Sequence, residues 1–100
     1  DNLYWYNYAT AANVMSLTPA GALTLAAGLT ATTGNFSGSV VTNTAALATS
    51  ATDGFLYVPT CAGAPTGVPT AHTGTAAIVL DTTNNKLYVY NGSWKSASLA

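Results

Sequence analysis

Polar and apolar residues alternate most cleanly over Ala76–Trp94, AAIVLDTTNNKLYVYNGSW. Ile78 and Leu80 alternate with Val79 and Asp81, and Thr82-Thr83-Asn84-Asn85 interrupts with turn formers. Leu87 and Val89 then alternate with Tyr88 and Tyr90. Period-two alternation bounded by such residues predicts antiparallel hairpins over 76–96, a β-meander. A four-residue loop at Thr82–Asn85 sets Leu80 opposite Leu87, whereas a two-residue loop at Asn84-Asn85 sets it opposite Val89. Either register places Ile78, Leu80, Leu87 and Val89 on one side. Asn91-Gly92, read as a tight hairpin loop because both residues accept positive φ, sets Val89 opposite Trp94 and adds Trp94 to that side. Tyr88 and Tyr90 fall on the other face beside Val79. Apolar or aromatic residues on both faces of so small a sheet imply cover on both, since even three strands need something to pack against.

The same alternation returns at the other end. LYWYN at 3–7 echoes LYVYN at 87–91, with Leu3, Trp5 and Asn7 facing one way and Tyr4, Tyr6 and Tyr8 the other. Ala9–Asn13 reads as a brief helical turn or a loop, Val14–Thr18 as a strand, and Pro19-Ala20-Gly21 as a turn. From Ala22 to Thr52 the pattern becomes short β-prone pieces (Leu23–Leu25, Leu29–Ala31, Val40–Leu47) broken by glycine. The run at Ala45–Ala51 has some helix propensity, but it is short, lacks charged helix formers and is rich in Thr and Ser. Gly54–Val58 reads as a strand ended by Pro59, Thr60–Thr73 as an ordered Gly/Pro loop, and Ser96–Ala100 as a tail. The boundary falls near Asp53, between a repetitive shaft-like region at 1–52 and a compact β module at 53–100.

Composition changes this picture in one respect. Ala, Thr, Ser and Gly make up just over half of the 100 residues, and small side chains bury little apolar area each. A chain of this length is already limited by the core it can enclose, so the shortage predicts a core shared among copies. Charge is nearly absent: Lys86 and Lys95 stand against Asp1, Asp53 and Asp81. Phosphate recognition needs basic residues, which argues against nucleic-acid binding. No apolar run approaches a membrane span. Six tyrosines, two tryptophans and the clean meander argue against disorder at the two ends. The opening at Asp1, with neither a methionine nor a signal-like stretch, reads as an excised piece of something longer.

Candidate chemistry is sparse. His72 sits alone in the Gly/Pro loop and reads as a structural or exposed imidazole; the alternative is a metal or anion site on a threefold axis where three copies meet. Cys61 cannot form an intrachain disulfide, and as a nucleophile it would need His72 brought close as a base. The three aspartates offer no close pair for general acid–base work, and Asp81 reads as a turn-capping acceptor. There is no phosphate loop, CxxC or HExxH. The chain is therefore read as a non-enzyme without cofactor. Tyr88, Tyr90 and Trp94 are candidates either for recognition of sugar or protein or for packing between chains. Asn84, Asn85 and the 60–73 loop are further recognition candidates, because loops on a rigid scaffold commonly bind.

TPAGALTLAAGLTATTGNFSGSV at 18–40 resembles the repetitive shaft segments of tailed-bacteriophage tail fibres and related virion appendages. DGFLYVPTCAGAPTGVPTAHTGTAAIVLDTTNNKLYVYNGSWKS at 53–96 resembles a C-terminal module of phage tail-fibre and structural proteins, most specifically in GAPTGVP at 63–69 and DTTNNKLYVYNGSWK at 81–95. The resemblance implies an all-β, elongated, intertwined homotrimeric fibre, with a β-helix or β-prism-like shaft and a small C-terminal antiparallel meander. It implies a virion structural role, outside the cell, in contact with other virion proteins and supporting host attachment. It brings no catalytic residues. The alternative function is a receptor-binding tip for a host-surface polysaccharide or protein; a bacterial surface adhesin fragment and a depolymerase segment are further readings.

Overall fold

The computed structural model describes all 100 residues as seven β-strands in two sheets, without a helix. Two compact units divide the chain, Asp1–Val40 and Val41–Ala100; the compositional boundary near Asp53 lies inside the second.

In the first unit β1 (Leu3–Asn7), β2 (Ala12–Leu17) and β3 (Leu23–Leu25) form an antiparallel sheet in that order. Residues 9–13 contain no helical turn. The connection is a loop in which the Asn7 side chain accepts the Ala9 N–H at 2.9 Å and Ala11 adopts φ +53°. The register slips between Trp5 and Tyr6, leaving Val14 as the extra residue. Beyond that bulge Leu3 lies opposite Leu17 and Trp5 opposite Met15, while Leu17 lies opposite Leu23 and Met15 opposite Leu25. Pairing partners share a face, so these six residues form one apolar side. Tyr4, Ser16 and Thr24 form the other. The β2–β3 turn closes where Gly21, at φ +89°, donates its N–H to Thr18 O.

The second unit carries β4 (Thr60–Cys61), β5 (Ile78–Asp81), β6 (Lys86–Tyr90) and β7 (Trp94–Ser98), in that spatial order. β4 runs parallel to β5 and the remaining pairs are antiparallel. The β5–β6 hairpin takes the four-residue loop, with Leu80 opposite Leu87 and Ile78 opposite Val89, and Asn85 closes it at φ +56°. The β6–β7 connection departs from the two-residue expectation. It spans Asn91-Gly92-Ser93 and sets Tyr90, not Val89, opposite Trp94. A one-residue slip moves every side chain to the opposite face. Trp94 therefore joins Tyr88 and Tyr90 rather than Ile78, Leu80, Leu87 and Val89. Residues 96–98, expected to be tail, pair with Lys86–Tyr88 as strand.

The shaft expectation is overturned. Both sheets are open, and nothing in the chain curls into a β-helix or β-prism. Residues 26–59 contain no strand, although 29–31, 40–47 and 54–58 read as β-prone. The physical reason is that a strand exists only against a partner, and β propensity measures fit to a sheet more than a backbone preference. Those pieces have no partner within the chain.

No apolar side chain is buried.

Candidate functional site: the loop-covered face of the C-terminal sheet

Val79 and Asp81 of β5, Tyr88 and Tyr90 of β6 and Trp94 of β7 share one face. The 60–73 loop is tied to that face at two points. Trp94 Nε1–H donates to Gly67 O at 2.7 Å, and Gly63 N–H donates to Asp81 Oδ1 at 2.9 Å. Gly63 stands at φ +111°, a region that favours glycine, and this turns its N–H toward the carboxylate.

Asp81 is the one fully buried side chain. Its Oδ1 also accepts the N–H groups of Thr83 at 2.9 Å and Asn84 at 3.1 Å, and its Oδ2 accepts the Asn84 side-chain amide at 2.9 Å. Burial alone would push this carboxyl up. The Asn84 side chain and the backbone N–H groups of Asn84, Gly63 and Thr83 outweigh it and hold the group below its ordinary range. Three donors converge on Oδ1 and one on Oδ2, so the carboxylate serves as a fastener between the 82–85 turn and Gly63. The capping role toward the 82–85 turn follows from its neighbours in sequence. The bond to Gly63, 18 residues upstream, had no sequence signal.

The aromatic candidates come together. The Trp94 ring meets Tyr90 edge-on at 5.2 Å and Tyr88 at 6.4 Å, a geometry that ring quadrupoles favour. All three are half-buried. Asn84 is spent on Asp81, and Asn85 donates its amide to Leu99 O at 3.3 Å; both serve the turn and the end of β7. Lys95 Nζ is likewise turned back, onto Asn91 O at 2.7 Å.

Two clefts flank the loop. One, of about 590 Å³, runs from Pro59 and Cys61 along the loop to Val79 and Trp94. The other, of about 390 Å³, lies between His72, Thr73 and Thr75 on one side and Tyr90 and Asn91 on the other. Cys61 and His72 line different clefts, and the Cys61 thiol points at Gly63 O at 3.2 Å. No three His, Cys, Asp or Glu side chains gather anywhere in the chain. No helix is long and apolar enough to cross a membrane.

Compared with known proteins, the chain matches no family model, no curated protein and no solved structure.

Proposed function

We propose that this chain is a structural component of a virion appendage of the tail-fibre kind, working as a homotrimer and supporting host attachment. The observation that carries the proposal is the missing core. Two sheets with aligned apolar ladders contain no buried apolar side chain. Apolar ladders left open in this way suit an obligate assembly, whose interfaces are large and resemble a domain core divided between chains. The segments at 18–40 and 53–96 that resemble fibre shaft and fibre C-terminal module point the assembly toward a virion. Light scattering behind a sizing column tests it. A mass three times that of the chain at micromolar concentration is expected, and a folded monomer there would refute the proposal.

A receptor-binding role has one specific footing, the 390 Å³ cleft beside Tyr90. Its size suits a small ligand, and an aromatic ring with Thr, Asn and His neighbours and no formal charge suits a neutral sugar. Retention of the chain on immobilised bacterial-surface polysaccharide, lost in Tyr90→Ala, would support that role. Equal retention of the variant would dismiss the cleft.

A further inference from the structure

Asn91-Gly92 lies in the β6–β7 connection, but the conformation of that turn explains only half of the pair. Gly92 stands at φ +74°, in the region that favours glycine, whereas Asn91 does not take a positive φ. The turn therefore requires glycine at 92 and makes no such demand for asparagine at 91. Of the eight asparagines in the chain, Asn91 alone precedes a glycine. The side-chain amides of Asn84 and Asn85 are engaged by Asp81 and by Leu99 O. The Asn91 side chain is exposed and its amide takes part in no hydrogen bond. This residue is held through its backbone alone, where its N–H donates to Ser93 O at 3.0 Å and its carbonyl oxygen accepts Lys95 Nζ at 2.7 Å.

We propose that Asn91 is a self-modifying site, at which the Asn91–Gly92 peptide converts Asn91 to aspartate and isoaspartate under activation by Lys95. The Gly92 nitrogen is the nucleophile, and it attacks after giving up its proton. Its N–H makes no backbone hydrogen bond, and an added Cβ at Gly92 would meet nothing within 4 Å, so solvent base reaches it. Deprotonation spreads negative charge onto the carbonyl oxygen of the same peptide, which is Asn91 O. The Lys95 ammonium sits on that oxygen, and Ser93 Oγ, 3.2 Å from Nζ, helps to hold it there. A cation placed where charge develops lowers the cost of forming it, and an ionised donor makes the stronger hydrogen bond.

The nitrogen then bonds to Asn91 Cγ, the Cγ–Nδ2 bond breaks, and the amide leaves as ammonia with a proton from water. Water opens the resulting succinimide at either carbonyl, so that one water has entered and one ammonia has left. Both products set a carboxylate on the lining of the cleft of about 390 Å³ beside Tyr90, which otherwise carries no formal charge. The isoaspartyl product also routes the backbone through Cβ, which lengthens the turn that sets Tyr90 opposite Trp94.

The test ages the whole folded chain in mildly alkaline buffer. It follows the tryptic peptide 87–95, in which Asn91 is the only asparagine, by mass and by separation of the aspartyl and isoaspartyl forms. Asn91 should convert first among the asparagines, and Gly92→Ala should slow it about tenfold, because a Cβ beside the attacking nitrogen hinders ring closure. In Lys95→Met the peptide runs on to Ala100 with no further asparagine. Conversion there should slow about threefold, the scale of an exposed charge contact. The sign separates two roles, since a lysine that merely braces the turn would, on removal, free the backbone and speed conversion. Conversion of Lys95→Met at or above the parental rate would overturn the activation, and an Asn91 that stays intact while other asparagines convert would overturn the site. Aged in urea, where the Lys95 contact is lost, parent and Lys95→Met should convert alike. The same threefold gap in urea would trace the effect to local sequence and overturn the role given to the folded turn.

Discussion

Beyond the β4–β5 pairing at Thr60–Cys61, two side-chain bonds fasten the loop that follows, and replacing Trp94 with phenylalanine isolates one of them. The change removes the indole N–H that donates to Gly67 O at 2.7 Å. It keeps a ring in place against Tyr90 and Tyr88, now at 5.2 and 6.4 Å. Gly67 is exposed, so its carbonyl regains a water and the loss is the net value of a hydrogen bond, about 1 kcal/mol. The smaller ring gives up about 40 Å² of half-buried surface, adding about 0.5 kcal/mol at about 25 cal/mol per Å². The sum of roughly 1–2 kcal/mol corresponds to about a 5- to 30-fold rise in the open population of the loop. Limited proteolysis reads that population when opening is fast relative to cleavage. Cleavage between residues 62 and 70 should accelerate by that factor, while the β5–β6 amides keep their protection from exchange. Cleavage at the parental rate would refute the view that Trp94 fastens the loop. A uniform loss of protection across the sheet would show that the indole supports the meander itself.

Other expectations follow from the same contacts. For Asp81, the folded-state carboxyl lies below its ordinary value, so its stabilising contribution is complete above the unfolded pKa of about 3.9 and is lost as pH falls through the folded value. Melting midpoints between pH 2 and 7 should therefore fall on the acid side in the parent and flatten in Asp81→Asn, which also melts lower at pH 7; an unchanged acid limb would contradict this. Gly54 stands at φ +95° with an added Cβ 2.7 Å from Leu47 Cδ2, the movable end of a side chain. Backbone strain then dominates, and Gly54→Ala should cost about 1 kcal/mol in a denaturant titration. Gly67→Ala, at a position outside the left-handed region and with open space at Cβ, should lie within about 0.5 kcal/mol of the parent, and equal losses in the two would remove the conformational argument.

The residues determined by themselves whatever depends on near neighbours. Alternation at Ile78–Asp81 and Leu87–Tyr90, with four polar residues between, defines the hairpin and offers only two registers; the one adopted pairs Leu80 with Leu87. The alternation at Leu3–Asn7 likewise yields a strand, and the poverty in large side chains foretells the absence of a core. What tertiary structure decided depends on contacts far apart in sequence or on single-residue slips. The three-residue turn at Asn91–Ser93 moved Trp94 across the sheet, because strand faces alternate with a period of two. Asp81 found Gly63, and Trp94 found Gly67, across 18 and 27 residues that carry no local mark of the pairing. The β-prone pieces between 26 and 59 formed no strand, because propensity supplies a willing segment and only a neighbouring strand completes its hydrogen bonds.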